Sequence, residues 1–263
     1  MKKTMLITGG ADGTGFAIAE KFAGAGYAVL LTSRDVEKAR AAARMLTVKY
    51  DIFSKGYVLD IGAEQAVTDM FNDIDRSGCF VETVVLNAAN MGFGDDPVKG
   101  MDFFTVSVSD FQRVFETNIV WNFMIIRQAA LRMRAKHKGA IVFIGSNTAY
   151  RAIPNRSAYC ASKGGINAMS RAFAVDLGPF GIRSNVVLPG TIKTKRWMQM
   201  GERQVINGQC TPIGDISDFE DIANAAFFLG TDLSKNITGS EITVDGGMSC
   251  QLYPAVLDSS KRG

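Results

Sequence analysis

Tyr159 and Lys163 stand four residues apart in the stretch RSAYCASKGG, which puts both side chains on one face of a helix. The spacing matters because the chain contains a single histidine, His137, and histidine is the usual proton carrier near neutral pH. A free tyrosine titrates at about 10, too high for efficient proton exchange at neutral pH. A cation held nearby lowers such a value by about 1 to 3, and Lys163 supplies one. Ser146 ends the apolar run GAIVFIGS. Asn118 lies among apolar neighbours in ETNIVWN, where the plain alternative is a solvated or back-bonded helix residue.

Positioning these groups falls to elements whose pattern is regular. Short apolar runs alternate with longer amphipathic ones. TMLITGG, YAVLLTSR, GYVLDIG, VETVVLNAAN, GAIVFIGS, GIRSNVVLPG and EITVDGG read as seven strands. Between them lie helical stretches, the longest being SDFQRVFETNIVWNFMIIRQAALRMRAKH. Strands that are nearly continuous apolar runs are expected where helices cover both faces of a parallel sheet. The pattern predicts an α/β doubly wound Rossmann fold with a seven-stranded, mostly parallel sheet. No composition shift marks a second domain. We expect a single dinucleotide-binding domain over 1–263, with a substrate loop at 191–216 and a carboxyl-terminal tail at 248–263. Ser146 then falls at the carboxyl edge of the sheet, where ligands of such folds bind.

TGGADGTG joins the first strand to the first helix. Gly9, Gly13 and Gly15 allow a sharp turn and a close backbone approach to a ligand. The helix behind them offers N–H groups and a positive dipole end to a pyrophosphate. The strand-before, helix-after context raises a glycine loop above a chance match. The adenosine ribose is expected at the end of the second strand. An acid there suits the NAD 2′-hydroxyl and an arginine the NADP 2′-phosphate. Ser33 and Arg34 occupy that place and favour NADP(H). NAD(H) stays open because Asp12 lies in the glycine loop and Asp35 becomes the ribose acid if the strand ends one turn later.

Bulk properties exclude several classes. The net charge of +3 gives no reason to expect nucleic acid or an anionic membrane as partner. The basic cluster RMRAKHK ends a predicted helix, where cations suit the dipole. The apolar run at the amino terminus stops after Ile7, too short for a secretory signal, and no stretch approaches a membrane span. The four cysteines lack metal-ligand or paired spacing and read as free thiols in a reducing, cytoplasmic setting. No residue cluster offers a metal site.

Taken in order, TGGADGTG, LNAAN, Asn118, Ser146, YCASK, NVVLPG and DGG resemble the short-chain dehydrogenase/reductase family over about residues 4 to 247. The resemblance implies a catalytic set of Asn118, Ser146, Tyr159 and Lys163. Tyr159 would be the general acid or base, Ser146 would hold the substrate oxygen, and Lys163 would tune Tyr159 and hold the nicotinamide ribose. Asn118 would hold a water that relays protons. It further implies cofactor contacts at Gly9, Asp12, Gly13, Thr14, Gly15, Ser33, Arg34, Asp60, Ile61, Asn87, Ala88, Ala89, Pro189, Gly190, Ile192 and Thr194. The family usually has glycine where Asn90 stands and an aliphatic residue at Thr14. It implies a dimer or tetramer through the helices carrying Asn118 and Tyr159.

Substrate choice resides in the loops after the strands. Met91, Phe93, Tyr150, Ile153, Pro154, Trp197, Met198 and Met200 predict an apolar, adaptable pocket or a lid packed on the body. Lys193, Lys195 and Arg196 could draw in an anion or simply be solvated. The expected partner is a small ketone or secondary alcohol: a hydroxysteroid, a 3-oxoacyl thioester, or a sugar acid or polyol. Two other readings use the same scaffold: a non-catalytic nucleotide-binding protein, and an isomerase, dehydratase or epimerase.

Overall fold

The computed structural model describes residues 3–60, 62–92, 100–195, 197–199 and 210–252. Ile61, Phe93, Arg196, Met200 and most of the tail lie outside the described residues.

Seven strands form one sheet: β1 (Lys3–Ile7), β2 (Ala28–Ser33), β3 (Ser54–Val58), β4 (Phe80–Leu86), β5 (Gly139–Ile144), β6 (Ile182–Pro189) and β7 (Glu241–Val244). Their order is β3-β2-β1-β4-β5-β6-β7. Every pairing is parallel, beyond the mostly parallel sheet that the sequence predicts. The order in which strands are added reverses between β1 and β4, the place at the carboxyl edge where such sheets open a crevice.

Seven α-helices are described: α1 (Gly13–Gly24), α2 (Val36–Tyr50), α3 (Glu64–Arg76), α4 (Val108–Phe115), α5 (Trp121–Lys136), α6 (Ser157–Leu177) and α7 (Phe219–Gly230). Alternate strand residues feed two cores. Leu6, Leu30, Val84, Leu86, Ile141, Phe143, Val186 and Leu188 pack with residues of α3, α5 and α6. Met5, Ile7, Val29, Leu31, Val85, Val142 and Val187 pack with residues of α1, α2 and α7. With side chains alternating between faces, burial of both faces accounts for the apolar runs.

Two elements depart from the sequence reading. The third strand runs Ser54–Val58 instead of starting at Gly56. It is an edge strand of half-buried residues, and a Cβ on Gly56 would lie 2.3 Å from the Ala39 carbonyl oxygen. Glycine there admits the backbone of α2 rather than starting the strand. The long fourth helix is interrupted: Glu116–Val120 form one π-turn between α4 and α5. Such insertions concentrate at functional sites, and this one carries Asn118. The basic cluster is absorbed locally. Arg132 pairs with Asp75, Lys138 reaches Glu82 and Asp232, and His137 caps α5 in the left-handed region.

Candidate active site

Ser146 follows β5 in extended backbone, and its Oγ accepts from the Thr148 amide (3.1 Å) and Thr148 Oγ1 (2.9 Å). The Tyr159 side chain lies beside it, and the Ser146 hydroxyl favours the ionised form of the phenol. Tyr159 and Lys163 rise from the first turns of α6, both buried, with the Lys163 Nζ 5.5 Å from the Tyr159 ring centre. Lys163 donates to the Ile144 carbonyl at the end of β5 (2.8 Å). Helix spacing and strand end therefore bring the three groups together as expected.

Asn118 joins them from behind. It is fully buried. Its Oδ1 accepts from the Asn90 amide (2.7 Å), and its Nδ2 donates to the Asn90 carbonyl and to Ser162 Oγ (2.9 Å each). Ser162 in turn donates to the Tyr159 carbonyl (2.8 Å), and Asn122 Nδ2 donates to the Asn118 carbonyl (2.8 Å). Both amide hydrogens of Asn118 are thus engaged by protein atoms. In this geometry Asn118 ties the loop after β4 to α6. The unusual Asn90 fits, because its Oδ1 accepts from the Gly92 amide (2.9 Å) and closes a local turn. Ser162 was the hidden partner. Its only sequence signal is its place inside YCASK.

The electrostatics differ from the simple expectation. Burial pushes the Tyr159 hydroxyl up to about 12, against downward pulls from the Ser146 hydroxyl and the Arg156 charge. Burial likewise pushes Lys163 down to about 8. Desolvation disfavours whichever form is charged, so at neutral pH Tyr159 stays protonated, the state an acid needs. Lys163 also makes stability depend on pH. The unfolded lysine holds its proton to about 10.5 and the folded one only to about 8. Between those values the unfolded chain binds more protons, so folding stability rises with pH. Relative to Lys163→Met, the native chain should gain about 1 kcal/mol per pH unit across that window. Denaturant titrations of both proteins test this, and a pH-independent difference would show that burial does not depress the lysine.

A cleft of about 1390 Å³ runs along the carboxyl edge. Thr14, Asn87, Ala89, Ser146, Tyr159, Lys163, Pro189, Gly190, Ile192 and Thr194 line it. A smaller hollow of about 350 Å³ at the amino ends of β4 to β6 is lined by none of them. Met91, Ile153, Pro154 and Trp197 also line the cleft. Met198 is exposed and does not, and Tyr150 turns away to hydrogen-bond Glu241.

A dinucleotide fits this edge. Gly9 and Gly13 have positive φ, and a Cβ on Gly15 would lie 2.1 Å from the Gly9 oxygen. Asn87 donates through Nδ2 to the Thr8 and Gly9 carbonyls (3.1 Å each), and the Asn87 and Ala88 amides donate to Thr8 Oγ1. The loop is therefore locked in an open cradle at the start of α1. Asp12 caps that helix, accepting from the Gly13 amide (2.7 Å). Asp35 caps α2 through the Glu37 and Lys38 amides, while Ser33 Oγ accepts from the Asp35 amide. β2 ends at Ser33, and Asp35 two residues on is engaged as the cap of α2. Asp60 follows β3 at the same edge.

The family described as enoyl-(acyl carrier protein) reductase matches residues 9–249. The chain is a short-chain dehydrogenase/reductase. A 3-oxoacyl-(acyl-carrier-protein) reductase of Aquifex aeolicus is 29% identical over 248 residues, covering 94% of this chain and 97% of that protein. Among solved structures, ElxO with NADP bound shares 28% identity at a TM-score of 0.86, covering 95% of this chain and 100% of that one. A Brucella melitensis 3-oxoacyl-(acyl-carrier-protein) reductase with bound NAD shares 25% at 0.85, covering 94% and 91%. Both nicotinamides thus occur among solved relatives of this short-chain dehydrogenase/reductase. Among its described residues no helix is long and apolar enough to cross a membrane.

Proposed function

We propose that this oxidoreductase interconverts a ketone and a secondary alcohol of moderate size, with NADP(H) as preferred cofactor. The observation that carries the reading is the convergence of the Ser146 and Tyr159 hydroxyls at one cleft, with Lys163 buried beneath them. When bound, the nicotinamide supplies or takes the hydride. Tyr159 gives its proton to the carbonyl oxygen during reduction and takes it back during oxidation. Ser146 holds that oxygen and steadies its developing charge. Lys163 holds the ribose from beneath Tyr159. Asn118 keeps the Asn90 loop and, through Ser162, the first turn of α6 in place. Ala88 and Ala89 would flank a bound dinucleotide, and Gly13, Thr14 and Gly15 would hold its pyrophosphate. Pro189, Gly190, Ile192 and Thr194 close the nicotinamide end.

NADP(H) preference is supported at the end of β2. Asp35 is used as a helix cap, and Arg34 beside it has no hydrogen-bond or ion-pair partner among the described residues. An unpaired guanidinium suits a 2′-phosphate. A panel of ketones and secondary alcohols, followed by nicotinamide absorbance with both cofactors, tests the reading. We expect turnover with NADPH favoured. Tight cofactor binding without turnover of any substrate would sink it, and a clear NADH preference would remove the cofactor assignment.

The reading includes a cytoplasmic dimer or tetramer. Val120, Phe123, Leu131 and Val175 are exposed on the π-turn, α5 and α6, apolar surface suited to self-association. A purely monomeric sedimentation profile would remove the assembly.

A further inference from the structure

The substrate end of the cleft holds a cation that the reaction does not use. Arg151 lies five residues beyond Ser146, is exposed and lines the cleft. Its Nη2 donates to the Ser249 carbonyl (2.7 Å) and the Gln251 carbonyl (3.2 Å). Among the described residues no acceptor reaches its Nε or Nη1, and no carboxylate lies within ion-pair distance. The other basic groups near the cleft are engaged or elsewhere. Lys193 pairs with Asp215 (2.6 Å) and Asp218 (3.6 Å). Arg156 is buried against the carbonyls of Gly92 and Asn155, in space that a Cβ on Gly100 would fill. Lys195 does not line the cleft.

Arg151 is also held in place. Its two bonds fix the guanidinium on the segment Met248–Leu252, whose Ser249 amide is tied to Asp245 (2.8 Å). Asp245 is buried and faces Asn147 Nδ2 (3.5 Å). The guanidinium is therefore pinned between the loop after Ser146 and the start of the tail, with its Nε and Nη1 unpaired among the described residues. Its Nε and Nη1 hydrogens and its full charge, held in fixed geometry, can each meet one oxygen of a carboxylate or phosphate.

We propose that Arg151 binds an anionic group, carboxylate or phosphate, on the substrate, separated from the reacting carbonyl by the apolar stretch that Met91, Ile153 and Pro154 line. The assignment rests on the ketone–alcohol reading and adds the chemical class of the substrate to it.

The probes are methyl-ketone carboxylates of increasing chain length and their neutral carboxamides. Binding is read by calorimetry on protein saturated with NADPH, and turnover by nicotinamide absorbance. In the native chain the acid should bind better than the amide by about 10- to 100-fold at the best length. Arg151→Gln should bring that ratio close to one, and Arg151→Lys should restore part of it. A ratio near one at every length in the native chain overturns the assignment. So does a ratio unchanged in Arg151→Gln, or an equal loss for acid and amide, which would make Arg151 only a tie for the tail. If the acid preference is present and tracks Arg151 while no ketone is reduced, the assignment stands and the reductase reading fails.

Discussion

Tyr159→Phe should lose about 10²- to 10⁴-fold in turnover, the range a positioned general acid contributes, while nicotinamide affinity changes little. The substitution deletes one oxygen and leaves the ring, so the packing of α6 under Lys163 survives. Stability should not fall much either, because burial of the hydroxyl is itself unfavourable and the neutral Ser146 hydroxyl is its neighbour. The two readouts separate chemistry from architecture. Lost turnover with intact binding and folding places the proton on Tyr159. Lost binding as well would mean that the ring orders the cofactor edge and that the acid has been misassigned. The high position of the tyrosine, about 12, adds a directional expectation. Reduction needs the protonated form and should vary little with pH between neutrality and mildly alkaline conditions. Oxidation needs a base and should accelerate as pH rises.

Gly15→Val should damage both fold and cofactor binding. Any Cβ at this position would sit 2.1 Å from the Gly9 oxygen and 2.6 Å from Asn87 Nδ2. Both neighbours are held, since Asn87 bonds the Thr8 and Gly9 carbonyls. The loop must therefore open, breaking these bonds. Overpacking of this kind costs about 1–3 kcal/mol or more, and dinucleotide affinity should fall at least about 100-fold as the cradle is lost. Thermal unfolding and cofactor titration measure the two effects. Gly24→Ala is the control, because its Cβ meets nothing closer than 3.5 Å, a carbon of Tyr50. Equal behaviour of the two variants would show that the cradle does not depend on a bare Gly15.

Much of this architecture was legible because it depends on local pattern. Val84, Val85 and Leu86 serve opposite cores in turn, so β4 had to be a continuous apolar run. Tyr159 and Lys163 share a helix face by spacing alone, and the glycine loop announces itself by its flanking elements. The π-turn at Glu116–Val120 was not legible, because one extra residue in a turn barely disturbs hydrophobic periodicity over a long helix. Its consequence, an Asn118 amide spent on Asn90 and Ser162, depends on packing between separate segments. Asp35 illustrates a different limit. Its sequence position fits a ribose acid and a helix cap equally, and only the fold shows that the Glu37 and Lys38 amides bond its carboxylate as a cap. Arg151 carried no motif at all. Its meaning comes from tail carbonyls about a hundred residues away. The opposing pulls on Tyr159 were also out of reach, since spacing shows the nearby cation but not the depth of burial.

The central claim is hydride exchange with a carbonyl carbon, proton-coupled through Tyr159. It is tested most directly with NADPH carrying deuterium on the transferable position of its nicotinamide and a ketone that the native chain accepts. We expect alcohol product with one deuterium on the carbinol carbon, formed in step with cofactor oxidation and nearly absent with Tyr159→Phe. Product without the label, or labelled product at native rate from Tyr159→Phe, would contradict it.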